Sequence, residues 1–370
     1  MKVLIFIHSL SAGGAERVAA NLANQWASNG WEVTLVTVAS TSTDFYRLNA
    51  SVIRVGLNLD ISEDSVSPSK DILNKLARVI ALRRILRKVQ PEIAIAMLTE
   101  ANLTLTLANW GMASTLSIGS ERSYPPQVSI GKLRTLLRTW LYRRLDAVVA
   151  LTDRSAVWLK EHTHAKLVAV IPNPIVWPLP AMPPAIPLPD TNRKMLLAAG
   201  RLSPEKQFDL LIRVFSRLVS KLPDWDLVIL GDGAQRPSLE ALVRHLNLQD
   251  RVTLPGRAGN LSQWYKAADL FVLCSRFEGF PNTIAEAMAH GVPVVSFDCA
   301  TGPRDIIRHE VDGLLVEPND EQGLGTALFE LANDEAKRQQ LASRCADIRE
   351  RFSLQAIDRQ WKKLFRELQG

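Results

Sequence analysis

Cysteine is scarce in this sequence: Cys274, Cys299 and Cys345 are the only three among 370 residues. Three scattered thiols build neither a disulfide framework nor a zinc cluster, and they fit a reducing, cytoplasmic setting. Long apolar runs are also missing. No segment approaches 18 uninterrupted apolar residues, so no spanning helix is expected. The start, Met1-Lys2 followed by VLIFI at residues 3–7, is too short for the apolar stretch of a secretory signal, and Glu16 and Arg17 follow soon after. A buried first strand is the expectation. There is no internal repeat, no acidic or basic tail, and no basic stretch interleaved with aromatics, which argues against a nucleic-acid partner.

What remains is an ordinary globular composition, 47% hydrophobic and 22% charged. That excludes a disordered chain. At roughly 150 residues per domain the length favours two domains. The net charge of +6 is unevenly placed. Residues 1–190 hold 20 lysines and arginines against 14 acids, and residues 191–370 hold 24 against 24. The excess lies entirely in the first half.

Short apolar runs alternate with helical patterns from the start. Residues 3–7, 32–38, 93–97, 116–118, 147–150 and 167–171 read as strands, with amphipathic stretches such as 15–29 and 71–89 between them. This alternation predicts a parallel sheet covered by helices on both faces. Residues 171–190 then carry eight prolines, a density that excludes helix and sheet interior and predicts a stiff linker. The pattern restarts with strands at 195–199, 227–230, 251–254, 270–273, 294–297 and 314–316. The expected fold class is therefore α/β, with two Rossmann-like, doubly wound parallel-sheet domains facing across a cleft. They would occupy residues 1–170 and 191–350. The last helix, 354–368, is able to pack on either domain, and residues 351–370 are set apart as a segment that can return to the first.

The sequence SRFEGFPNTIAEAMAHG at 275–291 carries the strongest chemical signal. A strand precedes it, and Asn282 or Thr283 is placed to cap a helix ending at Gly291. Backbone N–H groups from Gly279, Phe280, Asn282 and Thr283, around Pro281, would form an anion site at the positive end of that helix. Glu278 just ahead of the helix and Glu286 a turn inside it would repel a bare phosphate. They suit a ligand that also offers sugar hydroxyls.

Glu278 and Glu286, seven residues apart in EGFPNTIAE, resemble the E-x7-E motif of retaining GT-B glycosyltransferases of family 4. GRLSPEK at 200–206 is similar to that family's strand-to-helix loop, and SAGGAER at 11–17 to its glycine-rich first loop. GGAER together with DCATGPRDII at 298–307 resembles the subgroup that builds bacterial surface polysaccharides and lipid-linked oligosaccharides. The resemblance spans nearly the whole chain. It implies that Glu286 holds the ribose hydroxyls, that Glu278 faces the transferred sugar, and that Arg201 and Lys206 grip the diphosphate. Gly13 and Gly14 would approach the donor by backbone, as would Gly231 in the Gly231-Asp232-Gly233 loop, and Arg257 would lie near the base. Fixed cations and a helix N-terminus can stabilise the departing nucleotide diphosphate in place of a metal ion.

Glu100 and Arg122, near strand ends of the first half, are acceptor-side candidates, although the loop around Arg122 also reads as a capped surface loop. His8 reads as a hydrogen-bonded strand-end histidine ahead of a general base. No nucleophile is evident. Gly13-Gly14 is not a G-x-G-x-x-G, which weakens a dehydrogenase reading. Asp224-Trp225-Asp226 imitates a metal motif but sits at a strand start, and His162-Thr163-His164 lacks partners at ligand spacing.

Two basic segments supply the excess charge, one containing Lys70, Lys75, Arg78, Arg83, Arg84, Arg87 and Lys88. The other, 132–144, sets Leu133, Leu136, Leu137, Trp140 and Leu141 on one helical face. Such a stripe either packs on the sheet or lies on an anionic bilayer. The expectation is a metal-independent retaining glycosyltransferase without a cofactor. It would move a hexose or N-acetylhexosamine from a nucleotide diphosphate sugar, a UDP-sugar foremost, to a polyprenyl-diphosphate-linked saccharide at the cytoplasmic face of the inner membrane. A non-catalytic sugar-nucleotide or saccharide binder and a UDP-sugar epimerase of the same architecture stay open as alternatives. The residues point to no particular oligomeric state.

Overall fold

The computed structural model describes residues 1–60, 68–128 and 130–370, with the side chains of 68–71 left out. The expectation for the Lys70 side chain therefore lies outside the described residues. The chain forms two compact units, residues 1–174 with 354–370, and residues 175–353.

Among the described residues the first unit holds seven parallel strands: β1 (Lys2–Ile7), β2 (Glu32–Thr37), β3 (Ile53–Gly56), β4 (Ile93–Met97), β5 (Leu116–Ser120), β6 (Ala147–Ala150) and β7 (Val168–Val170). Their order is β3-β2-β1-β4-β5-β6-β7. Strands covered on both faces can be apolar at every position, and residues 3–7 of β1 are all fully buried. The helix Gly14–Ser28 turns Val18, Leu22 and Trp26, spaced by four, toward the core.

The C-terminal helix Leu354–Gln369 belongs to this first unit. It buries Ile357, Trp361, Leu364 and Phe365, and its Asp358 Oδ1 accepts from the Trp26 indole N–H at 2.9 Å. Counted by these units, the charge separates further than in the two halves of the sequence. The first unit has 24 lysines and arginines against 15 acids, and the second has 20 against 23.

The second unit holds six parallel strands: β8 (Lys194–Ala199), β9 (Trp225–Leu230), β10 (Val252–Gly256), β11 (Leu270–Leu273), β12 (Val294–Phe297) and β13 (Gly313–Val316), in the order β10-β9-β8-β11-β12-β13. In each sheet the order reverses once, beside β1 and β4 in the first and beside β8 and β11 in the second. Ligands of open α/β sheets bind outside the carboxyl ends of strands at such reversals.

The proline-rich stretch, expected as a stiff linker between the domains, is part of one of them. From Ile175 onward it groups with the second unit. The Met182 N–H donates to the Gly259 carbonyl at 3.0 Å, and Ile186 exchanges hydrogen bonds with the Asn260 side chain. Proline forbids helix, but the N–H groups between the prolines are still available for pairing. Ile175 also pairs with Ser353, so the two places where the chain leaves the second unit are joined within it.

Candidate active site

In the second unit, β8 ends at Ala199 and the chain runs through Gly200 and Arg201 to the short turn Pro204–Lys206. Gln207 then takes a left-handed conformation (φ +52°) to start the helix Phe208–Leu218. Beside it, β11 ends at Leu273 and the following loop leads to the helix Asn282–Ala289. The two loops are tied together: the Arg276 N–H donates to the Glu205 carbonyl at 2.8 Å, and the Cys274 thiol to the Lys206 carbonyl at 3.2 Å. Burial pushes that thiol up to about 12, so Cys274 is a packing group and not a nucleophile.

This joint brings Lys206 and Glu278 together. Lys206 Nζ lies 2.5 Å from Glu278 Oε1, and the Ser275 hydroxyl donates to the same oxygen at 2.7 Å. The two charged side chains are 19% and 10% exposed, enough for a ligand to reach them and too little for water to loosen them. The Thr301 hydroxyl donates to the Glu278 carbonyl and fixes the backbone beneath the carboxylate. Arg201, at the start of the same loop as Lys206, is exposed, and among the described residues its guanidinium has no hydrogen-bond or ion-pair partner, although its carbonyl accepts from the Ser203 N–H at 2.9 Å.

The cap differs from expectation. Asn282 is the first residue of the helix, Pro281 occupies the capping position, and no side chain caps it. A proline with φ −75° starts the helix, its carbonyl accepting from the Ile284 N–H at 3.1 Å, without offering a side-chain acceptor. Among the described residues, the N–H groups of Gly279, Phe280 and Thr283 meet no acceptor. Glu286 lies deeper, 4% exposed, and accepts from the Tyr265 hydroxyl at 3.0 Å.

The Gly231-Asp232-Gly233 loop clasps the other side of the Lys206 loop, with the Leu202 N–H donating to the Asp232 carbonyl at 3.0 Å. Gly231 has φ +135°, and a Cβ there would sit 1.8 Å from the Gly200 oxygen, so only glycine fits. Arg257 is exposed. The Arg236 guanidinium holds the Asp232 carboxyl below its ordinary range, with the Gly233 N–H and the charge of Arg257 adding to it. Asp226, of the imitation metal motif, pairs with Arg251 and Arg193, as its place at a strand start suggests.

In the first unit, Gly13 precedes the helix Gly14–Ser28, and the carboxylate of Glu16 lies against it. A Cβ at Gly13 would be 2.1 Å from that carboxylate. His8 pairs with Asp60 at 3.1 Å. Glu100 opens the first turn of the helix Thr99–Ala108, half exposed, and is ion-paired with Arg134, whose Nε lies 3.0 Å from its Oε1. Arg122 is buried just beyond β5, with Nη1 3.3 Å from Ser120 Oγ.

Sequence reasoning missed Glu121. It is 1% exposed and accepts from the Thr99 hydroxyl at 2.9 Å and from the Tyr142 hydroxyl, which itself accepts from Asn102 Nδ2 at 3.0 Å. Burial raises its carboxyl above the ordinary value, against the pull of Tyr142, the Arg138 charge and Thr99. A tyrosine twenty-one residues on in a basic helical segment gave no hint of this pairing.

The basic helix Lys132–Leu141 packs the end of its apolar stripe, Leu141, against the core beside β6 and leaves the rest uncovered. Leu133, Leu136, Leu137 and Trp140 are exposed, the first by 70%. Arg138 is buried instead, 4.7 Å over the Trp158 ring, so it is not one of the surface charges. Ile72, Leu73, Leu76 and Ile80 of the helix Pro68–Val89 are exposed as well.

The chain matches two family models, Glycosyltransferase Family 4 over residues 12–176 and Glycosyl transferases group 1 over residues 184–346. It is 33% identical to an exopolysaccharide phosphotransferase of Streptomyces coelicolor, over 83% of this chain but only 32% of that protein, about a third of its length. It is 28% identical to a Campylobacter jejuni N-acetyl-D-galactosaminyltransferase named for a PP-undecaprenol-linked saccharide, over 100% of this chain and 99% of the relative. The Anabaena protein HepE, solved in complex with UDP, superposes with a TM-score of 0.79 at 21% identity, covering 99% of this chain and 100% of its own. With two doubly wound parallel sheets and both family models in the expected order, the chain belongs to family 4 of the GT-B glycosyltransferases.

Proposed function

We propose that the protein is a retaining, metal-independent hexosyltransferase that uses a nucleotide diphosphate sugar, a UDP-sugar foremost, and extends a lipid-linked saccharide for a cell-surface polysaccharide. The observation that carries this reading is the Lys206–Glu278 pair beside an uncapped helix start, at the strand reversal of the second sheet. When a glycosidic bond to a diphosphate breaks, negative charge gathers on the departing phosphate while the sugar ring becomes cationic. Lys206, Arg201 and the free N–H groups of Gly279, Phe280 and Thr283 supply fixed positive charge for the first. The Glu278 carboxylate, oriented by Ser275 and Lys206, supplies negative charge for the second. Such charges act without rearranging, which is why they lower a barrier. Glu286 offers a buried acceptor for ribose hydroxyls, and the exposed Arg257 would serve the nucleotide base.

The donor preference is supported by the UDP complex of HepE, and the acceptor class by the PP-undecaprenol saccharide in the name of the Campylobacter relative. A lipid-borne acceptor also fits the charge separation and the bare leucines and tryptophan beside Arg134, Arg143 and Arg144, a composition suited to the anionic cytoplasmic face of the inner membrane. The test is a screen of UDP-sugars against a lipid extract, reading nucleotide release, product mass and anomeric configuration. Transfer with inverted configuration would overturn the retaining assignment, and release independent of any acceptor would overturn the transferase reading.

A further inference from the structure

Successive residues at a strand end point to opposite sides. Glu121 turns toward Thr99 and Tyr142, whereas Ser120 and Arg122 share the other side. The bond to Ser120 is the one hydrogen bond of the Arg122 side chain among the described residues. Nε and Nη2 are buried and meet no acceptor, although the residue is only 9% exposed. Among the described residues burial alone acts on its protonation, and no carboxylate contributes. The neighbouring Glu121 is in the opposite condition, served by two hydroxyl donors and the charge of Arg138.

A buried guanidinium without a counter-charge is costly, and a fold that keeps one gains stability from its removal unless a bound anion offsets the cost. Nε and Nη2 form one edge of the guanidinium, the edge that takes two oxygens of a single anion side by side. Arg122 follows the carboxyl end of β5, at the sheet edge where ligands of this architecture bind.

We propose that Arg122 is an oxyanion-binding residue of the first unit, receiving two oxygens of a diphosphate through Nε and Nη2. The inference rests on the glycosyl-transfer reading above, which offers two sources for that diphosphate, the nucleotide of the donor or the lipid carrier of the acceptor.

The test melts the full chain and its Arg122→Met, Arg122→Lys and Lys206→Ala variants against UDP and, separately, against geranyl diphosphate. Arg122→Met without ligand should melt at or above the wild type. Its affinity for one of the two diphosphates should fall at least tenfold, with partial recovery in Arg122→Lys. A loss confined to geranyl diphosphate identifies the carrier, and a loss for UDP identifies the donor. Unchanged titrations in Arg122→Met overturn the proposal, as does a lower melting point with weaker binding that Arg122→Lys fails to recover. If UDP binding needs Lys206 but neither diphosphate needs Arg122, this proposal fails and the donor reading stands. If the wild type ignores UDP yet binds geranyl diphosphate through Arg122, the donor reading fails and this one stands. Indifference of the wild type to both ligands overturns both.

Discussion

Replacing Lys206 with methionine removes the ammonium and keeps most of the side-chain volume. Its Nζ is 2.5 Å from Glu278 and its stem lies over Gly200, where the Lys206 Cδ and Cε atoms are both 3.6 Å from a Cβ built on that glycine. The aliphatic packing should therefore survive. In the free protein, Glu278 loses a cation but retains the Ser275 hydroxyl and some access to water, which costs about 1–2 kcal/mol. For a chain with domains of this size that is a fall of roughly 2–8 °C in Tm. In the transition state the loss is larger, because a preorganised charge on the leaving diphosphate disappears. By analogy with removal of one oxyanion donor, about 3–4 kcal/mol is expected, or a hundredfold to a thousandfold in kcat. The assay is steady-state nucleotide release with the best UDP-sugar and acceptor, beside calorimetric UDP binding and thermal melting. A kcat within tenfold of wild type, with UDP affinity unchanged, would refute the placement of Lys206 on the diphosphate.

Glu286→Gln should leave the fold intact, since an amide oxygen can still accept from Tyr265, yet raise KM for the donor about tenfold with a smaller change in kcat; a KM unchanged would remove Glu286 from the donor site. Gly231→Ala should lower stability by about 3 kcal/mol, seen in urea unfolding, because its Cβ would collide with the Gly200 oxygen at a left-handed φ. Burial, with Lys266 and Arg349 adding to it, lowers the pKa of His290. The unfolded chain then binds the proton first on acidification, so stability should be full above about pH 6.5 and fall below it, a trend that His290→Gln should flatten in a pH series of melts. Binding to anionic vesicles should weaken in salt and with Leu136→Glu, while zwitterionic vesicles bind poorly; equal binding to both would remove the electrostatic part of the membrane proposal.

Most of both sheets was legible because the strands are buried on two faces and read as unbroken apolar runs. β3 was not, since Ile53–Gly56 is a four-residue edge strand whose apolar run is broken by Arg54. The Lys206–Glu278 site was legible as a set of loops at strand ends, because motif order and strand order coincide. The distance between the two side chains was not, as 72 residues separate them. Nor could the exposed stripe of Lys132–Leu141 be distinguished from a packed one. Periodicity defines a face, and only the neighbouring elements decide what covers it. Arg138 is the reverse case, a charge that belongs to the surface by composition but is held inside by Trp158. The docking of Leu354–Gln369 rests on contacts between Trp26 and residues more than three hundred positions away, beyond any local pattern.

That docking sets an order of assembly during synthesis. Residues 175–353 can complete their sheet while residues 354–370 are still inside the ribosome, whereas the first unit, although translated first, waits for its final helix. Until then Trp26 and Trp31 lack the ring contacts of Trp361 and Phe365, a surface for chaperones or for aggregation. A frameshift or protease cut near residue 353 would therefore injure the N-terminal half of the chain and spare the half next to the cut.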